Sequence, residues 1–190
     1  GGMNYNLTVL PGRTLEIDPA ELIATAVNKV INVDDPTPSY SFSFIGFIDG
    51  ENATSVFPDG PAYTTGYTAG SSGPGEYIIE ITDPMNYIIN IYPDVIYLFV
   101  NPDGSGTKAV VPKLDCVTDD GNGLYTAYFE YDNNNDVPVW VLIGSDNLVT
   151  GGGTPDISDQ PIKFESGGGT WIATFDGSPM TWKVSSQDHG

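Results

Sequence analysis

The sequence predicts an all-β chain of two tandem β-sandwich domains. Three observations carry that expectation. Apolar and polar residues alternate with a period of two, as in Tyr40-Ser41-Phe42-Ser43-Phe44-Ile45, the pattern of a strand with one buried face. Short runs of this kind recur at intervals of roughly ten residues, as sandwich and barrel strands do. Turn residues separate them: Pro58-Asp59-Gly60-Pro61, Ser72-Gly73-Pro74-Gly75, Pro102-Asp103-Gly104, Asp120-Gly121-Asn122-Gly123, Gly151-Gly152-Gly153 and Asp176-Gly177-Ser178-Pro179.

Each element has its own justification. Residues 4–18 read as a hairpin with a Pro-Gly turn. Residues 19–30 offer a helix start at Pro19 with Asp18 as N-cap. Their β-branched residues (Ile23, Thr25, Val27, Val30) and the alternation Leu22/Ala24/Ala26 favour a strand. Helix is nearly excluded elsewhere. Strands are expected over 40–45, 76–82, 86–92, 95–100, 124–131, 137–143, 170–175 and 180–184, each rich in Tyr, Ile, Val, Phe or Trp.

An internal echo sets the domain boundaries. Asn4-Tyr5, alternating apolar positions, a Pro-containing turn, a second strand and Pro19 recur from Asn86-Tyr87 to Pro102. The offset is 82 residues at Asn4 and 83 at the closing Pro. A fixed period of this kind is the mark of an array. Residues 1–18 therefore read as the terminal hairpin of a preceding repeat, 19–107 as one complete unit and its joint, and 108–190 as a second, smaller β-domain. The last part has a different texture, with all three Trp (Trp140, Trp171, Trp182) and the Asn133-Asn134-Asn135 patch.

Composition then removes partners and chemistries. The chain has 190 residues, with 25 acidic against 6 basic, a net charge of −19. Phosphate backbones and anionic lipid repel such a chain, so nucleic acid and membrane surfaces are not expected partners. Only 16% of residues are charged, so the acidity reflects missing Lys and Arg and not charge-dense disorder. The single histidine, His189, stands next to the last residue, which leaves little for a histidine-based triad or metal site. Cys116 is the only cysteine, so no intramolecular disulfide forms, and it is expected to be a small buried hydrophobe. No apolar run has membrane-spanning length. No basic segment followed by an apolar stretch marks a signal peptide, and the chain reads as a segment of a longer exported protein.

Residues 26–100 resemble the MBG repeat, a mostly bacterial, glycine-rich, immunoglobulin-like module. The resemblance rests on Pro38 and Tyr40, then Gly46-Phe47-Ile48-Asp49-Gly50-Glu51. Gly60-Pro61, Thr64-Thr65, Ser71-Ser72, Gly75-Glu76-Tyr77-Ile78 and Asn86-Tyr87 follow in order. Residues 4–19 match the module's final hairpin and joint. Two positions depart from the pattern: Asn32-Val33 stands where the family has Tyr-Gly, and Asp94 where it has Gly. The C-terminal part resembles a second module of bacterial surface proteins, through Cys116-Val117-Thr118-Asp119-Asp120-Gly121-Asn122-Gly123 and the strand up to Asn133. Gln160-Pro161-Ile162-Lys163-Phe164 and Thr181-Trp182-Lys183-Val184 also fit. The resemblance implies two immunoglobulin-like sandwiches in tandem within an adhesin-like cell-surface or secreted protein. It implies neighbouring repeats as partners, with surface glycans or proteins as further ones, and no catalysis.

The candidate sites are few. Asp119-Asp120-Gly121-Asn122-Gly123 looks like a calcium loop, yet counting from either Asp fails to place ligands at the required spacing. Asn122-Gly123 between two strands reads better as a tight hairpin turn. Calcium held by separate loops would draw on Asp34, Asp35 and Asp103, besides Asp119 and Asp120. Exposed aromatics for stacking on a sugar would be Tyr63 and Tyr67, since the Trp residues sit in apolar strands and are expected in the core. A carbohydrate-binding module is thus the alternative to a structural, adhesive segment. A glycosidase would need two carboxylates across a cleft, which thin sandwiches rarely offer. Cys116 with Gln160 (a thioester), and Lys29, Lys113 or Lys163 (an isopeptide clamp), carry no signature.

Overall fold

The computed structural model describes residues 18–82, 84, 86–92 and 95–186. Among them the protein is all-β with one short helix. Residues 4–17, the first copy of the repeated hairpin, and His189 lie outside the described residues.

The first half contains β1 (Ala20–Thr25), β2 (Lys29–Asn32), β3 (Ser43–Ile45), the helix α1 (Ala53–Val56), β4 (Tyr63–Thr65), β5 (Gly75–Ile81), β6 (Tyr87–Tyr92) and β7 (Ile96–Asn101). One sheet has the order β3-β1-β6, the other β2-β7-β5-β4. The strand expected over 19–30 forms as two pieces, β1 and the start of β2, with a break at residues 26–28. Leu22 and Ala24 point inward and are fully buried, while Glu21 and Ile23 point out. Ala26-Val27-Asn28 carries the chain from one sheet to the other. Asn28 Oδ1 anchors this crossing by accepting the Tyr97 N–H at 2.9 Å.

Tyrosine organises this half. Tyr40, Tyr67, Ile79, Ile96, Leu98 and Val100 form one core cluster, and Leu22, Phe57 and Tyr87 another. Each buried ring turns its hydroxyl to a fixed partner, as a buried phenol must. Tyr40 donates to the Tyr97 carbonyl at 3.2 Å and Tyr67 to the Asp35 carbonyl at 2.7 Å. Tyr87 accepts the Ile48 N–H at 2.9 Å and donates to the Glu51 carboxylate. That one side chain ties the Gly46–Glu51 turn to β6, so the two stretches belong to one constellation. Gly46 has φ +108°, and a Cβ there would stand 2.7 Å from the Glu21 carbonyl oxygen, so only glycine fits.

The second half contains β8 (Val111–Gly121), β9 (Leu124–Asp132), β10 (Val139–Trp140), β11 (Asn147–Gly151), β12 (Lys163–Phe164), β13 (Gly169–Phe175) and β14 (Met180–Val184). Its main sheet has the order β13-β9-β8; β10 pairs with β12 and β11 with β14 as two-stranded ribbons. The core is aromatic. Phe129 stacks on Trp171 with centroids 5.0 Å apart, and Trp171 meets Trp182 edge-on at 5.1 Å. Asn122 (φ 56°) and Gly123 (φ 78°) both adopt the left-handed conformation, the two-residue turn that joins β8 to β9.

Several expectations are corrected. The strand expected over 40–45 begins only at Ser43, because the Tyr40 N–H bonds to the Tyr63 hydroxyl (3.2 Å) and not to a neighbouring strand. The one over 137–143 shrinks to Val139–Trp140. Helix α1 went unread: Asn52 and Ser55 form a capping box that needs no amphipathic period. β4, β8, β11 and β12 were not expected as strands. In β8, register shifts between Leu114 and Cys116 and between Asp119 and Gly121 break the alternation that would have revealed it. Cys116 is exposed and not buried, because it lies on the outer face of this end strand, opposite Tyr128.

Candidate functional site

The most constructed polar arrangement in the molecule joins its two halves. β7 is buried on both faces. Ile96, Leu98 and Val100 fill the first core, and Phe99, on the opposite face, is 5% exposed. Trp140 of β10 covers Phe99, with ring planes 11° apart and centroids at 5.7 Å, and Tyr97 extends the stack from Phe99 at 5.5 Å. Beside it, the Asn101 carboxamide stands in for a strand neighbour. Its Nδ2 donates to the Trp140 carbonyl at 2.9 Å, and its Oδ1 accepts the Trp140 N–H at 2.7 Å. Both backbone groups of Trp140 are thereby satisfied across the boundary.

The connecting chain is held in the same manner. The Asn135 Oδ1 accepts the Lys108 N–H, and its Nδ2 donates to the Lys108 carbonyl, both at 2.7 Å. Asn133, fully buried, fixes Asn135 by accepting its backbone N–H at 3.0 Å and donates to the Phe164 carbonyl at 2.8 Å. At the rim, the Lys163 ammonium lies 3.2 Å from both Glu76 and Glu165, and 5.8 Å from the Trp140 ring centre. Hydrogen bonds to the two carboxylates raise its pKa. Glu76 stands opposite Phe99 in the sheet register, so the ion pair closes over the ring stack.

A groove of about 440 Å³ runs along this joint, lined by Asn32, Asp35, Asn101, Trp140, Asp146 and Ser186 among others. Asp35 turns one carboxylate oxygen to the Asn32 N–H at 2.9 Å. The other acids named as calcium candidates are scattered. Asp34 has φ 74° in the turn after β2, and Asp103 accepts the Gly104 N–H at 2.6 Å. Asp119 accepts the Gly121 N–H at 2.9 Å, and Asp120 takes the hydroxyls of Thr118 (3.1 Å) and Thr126 (2.6 Å). They do not converge, and no group of three or more His, Cys, Asp or Glu among the described residues could hold a metal ion.

The candidate sugar-stacking rings face inward. Tyr67 is 4% exposed, and burial with the nearby charge of Asp34 raises its pKa. Tyr63 meets Tyr40 edge-on at 5.5 Å and donates to the Pro38 carbonyl at 3.3 Å. All three Trp are buried. The Gln160 amide is buried and donates to Asn147, whereas the Cys116 thiol, its pKa raised by desolvation and by Asp115, is exposed on β8; the two do not meet. Lys113 pairs with Asp132 and Lys29 donates to the Ser39 carbonyl at 2.9 Å.

Asn101, Phe99 and Glu76 were not singled out as site residues in the sequence, and Lys163 was weighed only for an isopeptide clamp. One signal was present: Val95-Ile96-Tyr97-Leu98-Phe99-Val100 is apolar throughout, which means a strand covered on both faces. What covers the second face is Trp140, 41 residues beyond Phe99 in the chain (140 − 99). Compared with known protein families, curated proteins and solved structures, the chain matches none.

Proposed function

We propose that this chain is a non-catalytic structural and adhesive segment of a large bacterial cell-surface or secreted protein. Its two β-domains act as consecutive beads that hold a distal binding region away from the cell. We read the first, residues 19–107, as an immunoglobulin-like sandwich of the MBG kind, and residues 108–190 as a smaller sandwich. That assignment rests on the motifs quoted from the sequence.

The observation that supports the spacer reading is the Asn101–Trp140 bracket under the Phe99 stack. A segment that transmits force or sets distance needs units that do not hinge freely. Here the boundary carries two amide hydrogen bonds, a ring stack and an ion pair. The acidic surface keeps such an array soluble and discourages copies from associating. The alternative, a carbohydrate-binding module, needs a row of exposed rings. The exposed rings among the described residues, Tyr92 and Tyr128, lie in different halves.

Spin labels on Ser72→Cys and Ser178→Cys, with Cys116→Ser, test the spacer. One narrow distance distribution between the halves is expected, and a broad one sinks it. A glycan array read at high protein concentration is expected to stay blank. Saturable binding to one glycan class would replace the spacer with the lectin.

A further inference from the structure

One long ladder joins the opening and closing strands of the first half. Ala20–Thr25 of β1 pairs in parallel with Tyr87–Tyr92 of β6, and Lys29–Asn32 of β2 pairs in parallel with Leu98–Asn101 of β7. Both ends are extended. The Ala20 N–H donates to the Asn86 carbonyl at 3.1 Å, and the Val33 N–H to the Asn101 carbonyl at 2.8 Å. The change of sheet at residues 26–28 does not interrupt the ladder, because Asn28 Oδ1 takes the Tyr97 N–H in the gap at 2.9 Å. The two stretches follow one another along the molecule and do not fold back face to face. Ala20, Leu22, Tyr87 and Ile89 pack in one core cluster, whereas Ala26, Ile31, Ile91, Leu98 and Val100 pack in the other. Strands folded onto each other would share a single core.

Parallel pairing fixes where the ends lie. The chain enters this ladder at Ala20, at one end, and leaves it at Asn101, at the other. Tension between those points draws the two strands past each other along their length. Every bond of the ladder is then loaded at once, and the bonds must fail together. The second half is arranged in the opposite way. The Val110 N–H, just before β8, donates to Ser186 Oγ, just after β14, at 2.7 Å, so the chain enters and leaves at one place. β8 and β14 do not pair with each other, and each lies at the end of its sheet. Tension between these points peels each strand from its neighbour one bond at a time, beginning at Val111–Asp132 and Asn147–Val184.

We propose that the ladder of β1 and β2 with β6 and β7 is a tension clamp. It makes the first half the load-bearing unit of the chain, and the second half gives way before it. The inference deepens the spacer reading and rests on it for the source of the tension. Forced unfolding is governed by the unfolding rate and not by equilibrium stability. The direction of pull is therefore the variable that exposes the clamp.

The test pulls single molecules of the full chain by handles on pairs of introduced cysteines at exposed positions, all with Cys116→Ser. Asp18→Cys with Ser105→Cys loads the ladder along its length. Thr37→Cys with Ser105→Cys loads the same half from one end, since both handles follow the paired residues Asn32 and Asn101. The fold is the same in both, and the first direction should need at least about twice the force of the second. Lys108→Cys with Ser185→Cys should open the second half at a force as low as that of the peeling direction. Asn28→Ala should lower the force along the ladder and leave the peeling force unchanged, and Asn28→Asp, which keeps the acceptor, should restore it. Equal force in the two directions would overturn the clamp, whether or not the Asn28 variants fold. A second half that outlasts the first would overturn it as well. A broad spin-label distance beside an intact difference in force would end the spacer reading alone. A narrow distance beside equal forces would end the clamp alone.

Discussion

The two halves solve one problem with different side chains. Both are small β-structures with buried backbone that no strand reaches. The first satisfies such groups with tyrosine hydroxyls: Tyr40, Tyr63, Tyr67 and Tyr87 each bond to a backbone group. The second uses carboxamides. Asn147, fully buried, donates to the Val141 carbonyl at 2.9 Å and the Pro161 carbonyl at 2.7 Å, and its Oδ1 accepts from Gln160 and from the Trp182 indole. Asn133 and Asn135 do the same near the joint. The ribbon β10–β12 is two residues long on each side, so side chains replace the missing ladder. A hydroxyl carries its own hydrophobic ring, whereas an amide provides donor and acceptor in a smaller volume.

The largest break in this comparison is Asn147→Ala. It strands two backbone carbonyls and the Trp182 N–H in the interior, at about 1–3 kcal/mol for each unpaired group, while the Gln160 amide keeps its bond to the Asn147 backbone carbonyl at 3.0 Å. The second half should lose more than about 4 kcal/mol, seen in denaturant titration as loss of tryptophan signal, and an unchanged midpoint would remove the carboxamide from its central place. Trp140→Ala comes next, at about 3–5 kcal/mol for the lost ring. Calorimetry should then resolve two transitions where the intact joint gives one.

The third prediction separates the halves by pH. Burial, with Tyr63 beside it, pushes the Tyr40 phenol up to about 12 from 10.0, and burial also raises Tyr67 and Tyr87. A raised folded pKa means that the folded state keeps a proton which the unfolded chain gives up. The stabilisation is complete below pH 10 and is lost as pH rises toward 12, by on the order of 2 kcal/mol for Tyr40. Alkali should unfold the first half in that window, and Tyr40→Phe should flatten the dependence; the same slope in the variant would exclude Tyr40 as its source. Carboxamides do not titrate there, so the amide networks of the second half contribute nothing to the slope.

Asn101→Ala should cost about 1–3 kcal/mol from its two bonds, and broaden the distance between labels on the two halves with little change in either core. Lys163→Ala is the smallest change. Its ion pairs are partly exposed and worth about 0–1 kcal/mol, and high salt should erase the difference in melting temperature from the parent chain.

Much of the local structure was legible because it depends on neighbours in the chain. Asn122-Gly123 announces a turn needing two left-handed residues, and the alternation over 86–92 and 170–175 marks strands with one buried face. The strand character of 20–25 follows from the alternation through Leu22 and Ala24, whereas the change of sheet at 26–28 did not show in the β-branched content. Other features resisted reading because their cause is distant. Cys116 belongs to a residue type that is usually buried, yet a bulged end strand leaves it in solvent. Tyr63 and Tyr67 looked available in a Gly- and Thr-rich loop, but their hydroxyls reach backbone carbonyls more than 20 residues away.

The sequence by itself determined the all-β class, the turns and the aromatic character of both cores. These follow from side-chain period and from backbone conformations that particular residues allow. Only the tertiary structure decided which second face of β7 is covered, which amides replace the missing strands, and which strands share one continuous ladder. Each depends on groups brought together across long stretches of chain, where any of several partners would satisfy the same buried atom and only the packing selects one.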